Sequence, residues 1–431
     1  MKQTYEILPV YTSDVSGVCS ALFELGGLVV MHDPSGCNST YNTHDETRWY
    51  ENDSLIFISG LTERDAIMGN DEKFFCDVLD AAKAFDPAFI AVTNSPVPFL
   101  TGTDFPAITK RLEAETGTPS FYVPANGMHD YTAGASRAFE KIADRLVLPQ
   151  TLRDHAAEQS KDAPGKTAKR PYLAAGVSPR INIIGLTPLD YGAAGCAGSI
   201  KMTMEKSGFD VISVWAMDES LDNIKNSGAA DINLVVSSTG IKAAEKLRRR
   251  FGTPWVAGTP ITGFTDVLAD ALLKAAKTGE CLAAYTLPET FPKNLSGKNQ
   301  TADKFPGNLS GKKQTAETGS DEPGIRKGNV TVIGEPVTSG SLAAAIRIER
   351  KIQARVLCTT EITEGLILGS DIKASCEEEI RAALENADIA VGDPLFKLVC
   401  GAGTGFYPLP SVAMSGRIYL KQTIDLTKVS I

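Results

Sequence analysis

Cysteine is the residue type in this sequence with the most chemistry to offer, and eight occur: Cys19, Cys37, Cys76, Cys196, Cys281, Cys358, Cys376 and Cys400. No apolar signal core precedes Glu6, so a cytosolic chain is expected, where disulfides are rare and a thiol is buried, reactive or a metal ligand. No pair has C-x-x-C spacing, which argues against a zinc ribbon, a thioredoxin-like site or a ferredoxin-type run. Any metal centre here must be assembled by the fold.

Two cysteines sit where a strand-and-helix fold would present them. Ser16-Gly17-Val18-Cys19 places Cys19 near the start of a short helix closed by Gly26 and Gly27, where amide N–H groups and the helix dipole favour a thiolate. The apolar run Leu28–His32 ends in Asp33-Pro34-Ser35-Gly36-Cys37, a tight turn whose glycine lets a bulky anionic group approach beside Cys37. On residues alone, two structural thiols and one shared metal centre both stand. Cys76 and Cys358 fall on apolar periodicities and read as core thiols. Cys196, in the Gly-rich Gly192–Gly198 loop, could cradle an anion or face a pocket as a ligand, though neither G-x-G-x-x-G nor the Walker lysine is present. Cys281, Cys376 and Cys400 carry no assignment.

Three further side chains are candidate pocket groups: His44, Arg48 and His129. His129 follows an apolar strand in Asn126-Gly127-Met128-His129, where an imidazole could donate a proton to a substrate or make ordinary loop hydrogen bonds. Arg48 suits either an anion contact or a structural salt bridge.

The elements that must position these residues alternate between strand and helix. Strands are expected at Leu28–His32, Leu55–Ser59, Phe89–Thr93 and Ser120–Val123, then at Ile181–Leu186, Asp210–Trp215, Ile232–Ser237 and Pro254–Val256, then at Val330–Ile333, Arg355–Thr359 and Asp388–Val391. Helices are expected between them, most clearly at Asp71–Phe85, whose Phe74, Phe75, Val78, Leu79, Ala82 and Phe85 form one apolar stripe. Others are expected at Ile241–Phe251, Asp266–Lys277, Ser341–Gln353 and Ser375–Asn386. This predicts an α/β protein of three doubly wound, Rossmann-like parallel-sheet domains, with ligands beyond the carboxyl ends of the strands.

Two polar stretches set the boundaries. Residues 151–170 form a linker, and 291–328 hold a tandem near-duplication, FPKNLSGKNQTADK from Phe291 and FPGNLSGKKQTAET from Phe305, too polar to fold alone. The expected units are an N-terminal domain 1–150 carrying Cys19 and Cys37, a second domain 171–290, a flexible duplicated loop 291–328, and a third domain with a C-terminal segment, 329–431. The 431 residues are 43% apolar and 22% charged with a net charge of −9. That composition excludes a disordered chain and gives no electrostatic case for nucleic acid or an anionic membrane. No apolar run approaches membrane-helix length, so proteins and small molecules are the expected partners.

The order of motifs resembles the component 1 (molybdenum-iron protein) family of nitrogenases and nitrogenase-like reductases over nearly the whole chain. Cys19, then His32-Asp33-Pro34-Ser35-Gly36-Cys37, is similar to that family's early cysteine and its His-Gly-Pro-x-Gly-Cys. Arg48-Trp49-Tyr50, the run Leu61–Lys73, Ser95-Pro96 and Gly102-Thr103-Asp104 follow in the same order. Asn233-Leu234-Val235, Phe251-Gly252-Thr253-Pro254-Trp255, Gly392-Asp393-Pro394-Leu395 and Ser415-Gly416-Arg417 extend the likeness to the end of the chain.

The resemblance implies a nitrogenase-like oxidoreductase whose interface iron-sulfur cluster receives electrons from an ATP-dependent iron protein. Members with fewer cysteines carry a [4Fe-4S]. Its ligands here would be Cys19 and Cys37, with Ser95, an oxygen ligand or an inert loop serine, at the third cysteine position. Since a cubane wants four thiolates, a homodimer or a paralogous subunit would complete it. An iron-molybdenum cofactor is not expected. Val236-Ser237 replaces one anchor of that cofactor, and all four histidines precede residue 156. Dinitrogen reduction is therefore unexpected, and the substrate stays an unspecified small molecule. The alternative is a non-catalytic scaffold for assembling a metal cluster or tetrapyrrole.

Overall fold

The computed structural model of the chain describes residues 5–36, 41, 46–148, 178–192, 195–291, 329–362, 364–429 and 431. The expected linker 151–170, residues 292–328 of the duplicated segment, Cys37 and His44 lie outside the described residues.

The architecture is α/β, built on three parallel sheets. The first contains β1 (Leu28–His32), β2 (Leu55–Ile58), β3 (Ile90–Asn94) and β4 (Ser120–Tyr122) in the order β2-β1-β3-β4. The helices α1 (Asp14–Leu22), α2 (Glu63–Met68), α3 (Asp71–Phe85), α4 (Pro96–Thr101), α5 (Phe105–Thr116) and α6 (Tyr131–Arg145) belong to it. The second holds β5 (Arg180–Ile184), β6 (Asp210–Val214), β7 (Ile232–Val235), β8 (Trp255–Ala257) and β9 (Leu282–Ala283) in the order β6-β5-β7-β8-β9. Its helices are α7 (Pro188–Tyr191), α8 (Cys196–Lys206), α9 (Leu221–Lys225), α10 (Ile241–Phe251) and α11 (Thr265–Thr278). The third is β10 (Val330–Gly334), β11 (Ala354–Cys358), β12 (Ile372–Lys373), β13 (Ile389–Gly392) and β14 (Gly405–Pro408) in the order β12-β11-β10-β13-β14, with α12 (Pro336–Arg350), α13 (Glu377–Leu384) and α14 (Val412–Ser415). No described helix is long and apolar enough to cross a membrane.

The central strands β1, β3 and β10 are buried along their whole length, the pattern of sheets covered on both faces. One apolar cluster runs without a break from Val15 through Ile183 and Leu234 to Val332, so the three sheets share a core. The helix α3 has the expected bounds and buries Phe74, Phe75, Val78 and Ala82; Phe85 of the predicted stripe is instead half exposed against Phe57.

Two helix starts differ from the sequence expectation. Cys19 is the sixth residue of α1, not near its start, because the helix begins at Asp14 and runs through Gly17. The Asp14 carboxylate is buried and accepts the amides of Asn126 and Gly127 at 3.1 and 2.8 Å, which fixes the start of the helix. The other is α12, which begins at Pro336 rather than Ser341. Its N-cap Glu335 accepts the amides of Val337 and Thr338, and proline occupies the first turn.

Helices α1 and α6 cross with backbone against backbone. A Cβ on Gly17 would lie 2.2 Å from the Tyr131 carbonyl oxygen, and one on Gly134 would lie 1.8 Å from that of Asp14. Gly134→Ala must push two main chains apart and is expected to lower the melting temperature sharply or abolish soluble expression, at about 3 kcal/mol or more. Gly198→Ala, in α8 with no neighbour within 4 Å of its Cβ, should leave the melting temperature unchanged or slightly raised. Thermal unfolding of the two variants decides the matter.

Candidate functional site

Two regions at strand carboxyl ends carry the chemistry. The first surrounds Cys19. Its side chain is fully buried in the shared core, which also contains Met31 of β1 and Tyr41. At the parallel end of β3, Ser95 follows Asn94, which is in register with His32 of β1, and the Ser95 amide donates to the His32 carbonyl at 3.2 Å. The Ser95 Oγ is buried without a hydrogen-bond partner, and a native fold rarely leaves such an atom unexplained. His32 is buried between Phe74 and Phe105, with Nδ1 2.7 Å from the Ser59 Oγ. Burial lowers its pKa to about 4, so the ring is neutral at physiological pH.

Arg48 stands beside this region as a buried hub. Nε and Nη2 hold the two Glu46 oxygens at 2.7 and 2.9 Å. Nη1 holds Glu24 at 2.7 Å and the Ala216 carbonyl at 2.9 Å, and Nη2 also holds the Ser20 carbonyl at 2.8 Å. All five guanidinium N–H groups are spent, so Arg48 is the salt bridge of the two sequence readings and offers no donor to a pocket ligand. Burial opposes its charge, but the hydrogen bonds and charge of Glu46, with Glu24, raise its pKa above the ordinary range.

His129 is likewise engaged by a neighbouring segment. Its Nδ1 is 2.9 Å from Glu361 Oε2, both side chains being partly exposed, while Asp130 and Glu361 accept each other's amides at 2.7 and 3.3 Å. This reciprocal pair fastens the loop before α6 to the loop after β11.

The second region is a small cleft, open to solvent, between the ends of β5, β10 and β13. Asp190 of α7, Glu335 and Asp393 contribute three carboxylates, and Ile333, Met414 and Leu426 give it apolar walls. Glu335 and Asp393 are committed caps. Glu335 also accepts the Ser238 amide at 2.6 Å, which ties the second sheet to the third. Asp393 accepts the amides of Leu395 and Ser411 and the Ser415 hydroxyl.

Asp190 differs from those two. Tyr131, at the start of α6, donates its hydroxyl to Oδ1, while Oδ2 is buried with no hydrogen bond of ordinary geometry. Burial, then the Glu335 charge, push the Asp190 pKa up to about 8, against the pull of Tyr131 and Ser237. None of these cleft residues was a candidate site residue in the sequence, although Asp393 lies in the Gly392–Leu395 motif of the family resemblance. The available signal was Gly334-Glu335-Pro336 and Gly392-Asp393-Pro394, an acid followed by proline at the ends of two strands of one sheet.

The remaining cysteines separate by burial. Cys76 is exposed, its Sγ 3.8 Å from Glu72, so it is not the core thiol its periodicity suggested. Cys358 is buried in β11 as expected. Cys196 opens α8, but burial, with Asp425, pushes its thiol up to about 11, which disfavours a thiolate ligand. Among the described residues no group of three or more His, Cys, Asp or Glu side chains could hold a metal ion.

Comparison with known proteins follows the same lines. A family model described as "Nitrogenase component 1 type Oxidoreductase" matches residues 16–278, more than half of the chain. The chain is 25% identical over 234 residues to the nitrogenase iron-molybdenum cofactor biosynthesis protein NifE of Klebsiella pneumoniae, covering 53% of this chain and 48% of that protein. It is 24% identical over 251 residues to the nitrogenase molybdenum-iron protein alpha chain of Clostridium pasteurianum, covering 56% of this chain and 42% of the other. The chain thus spans about half the length of the relatives it matches. A solved structure described as "Nitrogenase Cp1 at pH 6.5" superposes with a TM-score of 0.62 at 16% identity over 95% of this chain and 87% of the other, a likeness of fold.

Two outcomes test this geometry. Arg48→Met leaves the fully buried Glu46 carboxylate uncompensated and should destabilise the fold by about 3–5 kcal/mol, with part of the loss recovered by adding Glu46→Gln. Asp190 binds its proton more tightly folded than unfolded, so it subtracts stability as pH rises from about 4 to about 8. The melting temperature of Asp190→Asn should gain on that of the parent as pH is raised from about 4 to 8.5, and a difference between the two that does not change with pH would refute the assignment.

Proposed function

Because the chain belongs to the nitrogenase component 1 type oxidoreductase family, we propose that it is a subunit of a nitrogenase-like reductase, taking electrons from a separate ATP-dependent iron protein to reduce a small molecule in the cleft. The observation that carries this reading is the Ser95 hydroxyl, buried with no hydrogen-bond partner at the position where the resemblance places a third cysteine. Ser95 lies at the end of β3, beside the strand that leads into Cys37. A buried thiol on the helix that packs on β1 and β3, and a buried oxygen at the end of β3, support a cluster ligand set.

Cys19 and Cys37 would be the thiolate ligands of a [4Fe-4S], which when bound relays one electron at a time. A second copy of the chain or a paralogous subunit would bring the other two thiolates. The protein's own part is structural and electrostatic. Arg48 and Glu46 lock the segment between β1 and β2 against α1, and the shared apolar core excludes water from Cys19. Burial keeps His32 uncharged, so it adds no fixed charge near the strand end.

Association with a partner is supported by exposed apolar side chains on neighbouring helices. No residue of α2 is buried, its Ile67 and Met68 are 74% and 73% exposed, and α4 beside it leaves Leu100 80% exposed.

A second reading is favoured by the likeness to NifE, a protein of iron-molybdenum cofactor biosynthesis: the chain would serve as a scaffold on which a metal cluster or tetrapyrrole is assembled. An iron-molybdenum cofactor is not proposed for the cleft in either case.

Anaerobic purification should yield about two irons per chain, the share of a four-iron cluster divided between two chains. Iron should fall away in the Cys19→Ala, Cys37→Ala double variant while the fold persists by circular dichroism. Iron content unchanged by both substitutions would refute the ligand assignment. Given iron, turnover that requires an iron protein and ATP marks the reductase, and transfer of the cluster without turnover marks the scaffold.

A further inference from the structure

We propose that the Asp33 carboxylate is a fixed negative charge that makes an iron-sulfur cluster at Cys19 and Cys37 a stronger electron donor. The inference rests on the cluster reading above and adds a residue that tunes it through space.

Strand alternation places Asp33. In the parallel pair β1 and β3, His32 is in register with Asn94, and the ladder runs one step further because the Ser95 amide donates to the His32 carbonyl. On the β2 side the Leu61 amide donates to the Asp33 carbonyl at 2.8 Å, so the extended backbone of β1 continues through Asp33. Successive side chains of a strand point to opposite faces. His32 packs between Phe74 and Phe105, and Asn94 accepts the Tyr122 hydroxyl, all on the face covered by α3 and α5. Asp33 and Ser95 therefore take the other face, with Met31, whose apolar core contains Cys19. Cys37 follows four residues later, a reach of at most about 14 Å.

The environment of Asp33 is unlike that of the structural acids. It is fully buried; Oδ2 accepts the Ser35 amide at 2.9 Å, and Oδ1 has no hydrogen-bond partner. Its register neighbour Ser95 carries a hydroxyl that is likewise buried and unpartnered, so the two do not satisfy each other. By contrast, both oxygens of Asp14 and of Asp393 are occupied by amides, and Glu46 is held by Arg48. The His-Gly-Pro-x-Gly-Cys motif that this turn resembles has glycine where Asp33 stands, so the turn itself does not call for a carboxylate. A buried, unpaired carboxylate is costly, and here it stands beside the candidate ligands.

No described group cancels its field. Arg48 is met by both Glu46 and Glu24, and burial keeps His32 neutral. A negative charge within about 10 Å, at an effective dielectric constant near 20, shifts an equilibrium that adds one electron by about tenfold or more. The shift disfavours the reduced form, which then gives up its electron more readily.

Redox titration of the full chain purified anaerobically, followed by electron paramagnetic resonance, tests this. Asp33→Asn keeps an acceptor for the Ser35 amide, and Asp33→Gly, with the residue of the motif, serves if the first variant does not fold. Each should retain the parent's iron content. At the parent's midpoint potential, the ratio of reduced to oxidised cluster should rise at least about tenfold, about 59 mV for a one-electron couple. The shift should persist in high salt, because a buried charge is poorly screened. Asp53→Asn, at an exposed position before β2, should leave the midpoint where it is. An unchanged midpoint in the Asp33 variants, or a shift no larger than that of Asp53→Asn, would overturn the proposal. Iron lost from the Asp33 variants alone would also overturn it, by making Asp33 a ligand. A parent without an iron-sulfur cluster overturns the cluster reading and this proposal together, whereas a midpoint indifferent to Asp33 overturns this proposal alone.

Discussion

The contact on which the rest of this structure depends is the crossing of α1 and α6, where two glycines let main chains touch. Helices with ordinary side chains stay 8–10 Å apart. Here the Gly17 and Gly134 positions admit only hydrogen, so the helices close until carbonyl oxygens take the place of side chains. That closeness fixes two distant groups at once. It holds Cys19 of α1 beneath the first sheet, and it holds Tyr131, the first residue of α6, where its hydroxyl reaches Asp190 of the second. Helix α6 then packs on α10, and the Arg250 guanidinium caps the carbonyls of Asp144 and Val147, so one helix sets the spacing of two sheets.

Burying charge is the second theme, and its cost is met in different ways. Asp14, Glu335 and Asp393 are each surrounded by main-chain amides, and burial raises the pKa of Asp14 and Asp393 against those hydrogen bonds. Arg48 is met by two carboxylates and two carbonyls. Arg347 is met by carbonyls alone, those of Tyr285, Thr290 and Ala354, with Phe291 stacked on its guanidinium, and burial lowers its pKa to about 10. Asp190 is met by the hydroxyls of Tyr131 and Ser237, and burial with the Glu335 charge raises its pKa to about 8.

The alternation of strands and helices was legible because it depends on local periodicity. The bounds of α3 and α10 coincide with their apolar patterns, and the central strands differ by a residue at most ends. What was not legible depends on contacts between distant segments. Gly17 reads as a helix breaker until the carbonyl of Tyr131 is seen against it, and Gly340 until the Tyr285 ring is. The start of α12 was hidden because glutamate is an uncommon cap, though Pro336 after it was a usable sign. For the site, residue type pointed to Cys19 and Cys37, but no spacing rule could show Arg48 spending every donor or Tyr131 meeting Asp190 across the sheets. The spent donors of Arg48 and the His129–Glu361 pair show how type alone overstates a pocket role: both side chains serve as fasteners between segments remote in sequence.

The segment after β14 bears on how the cleft can open. Thr423, Ile424 and Leu426 form one wall of the cleft, Thr423 lies over Gly192, and Asp425 is anchored by its hydrogen bonds to Thr427 and Lys428 beside α8. These residues follow all three sheets in the chain. No strand of the three sheets depends on these residues for its pairing, and the wall they form is added to sheets already complete without it. Loosening this short strip would therefore open one wall of the cleft without breaking a strand pairing.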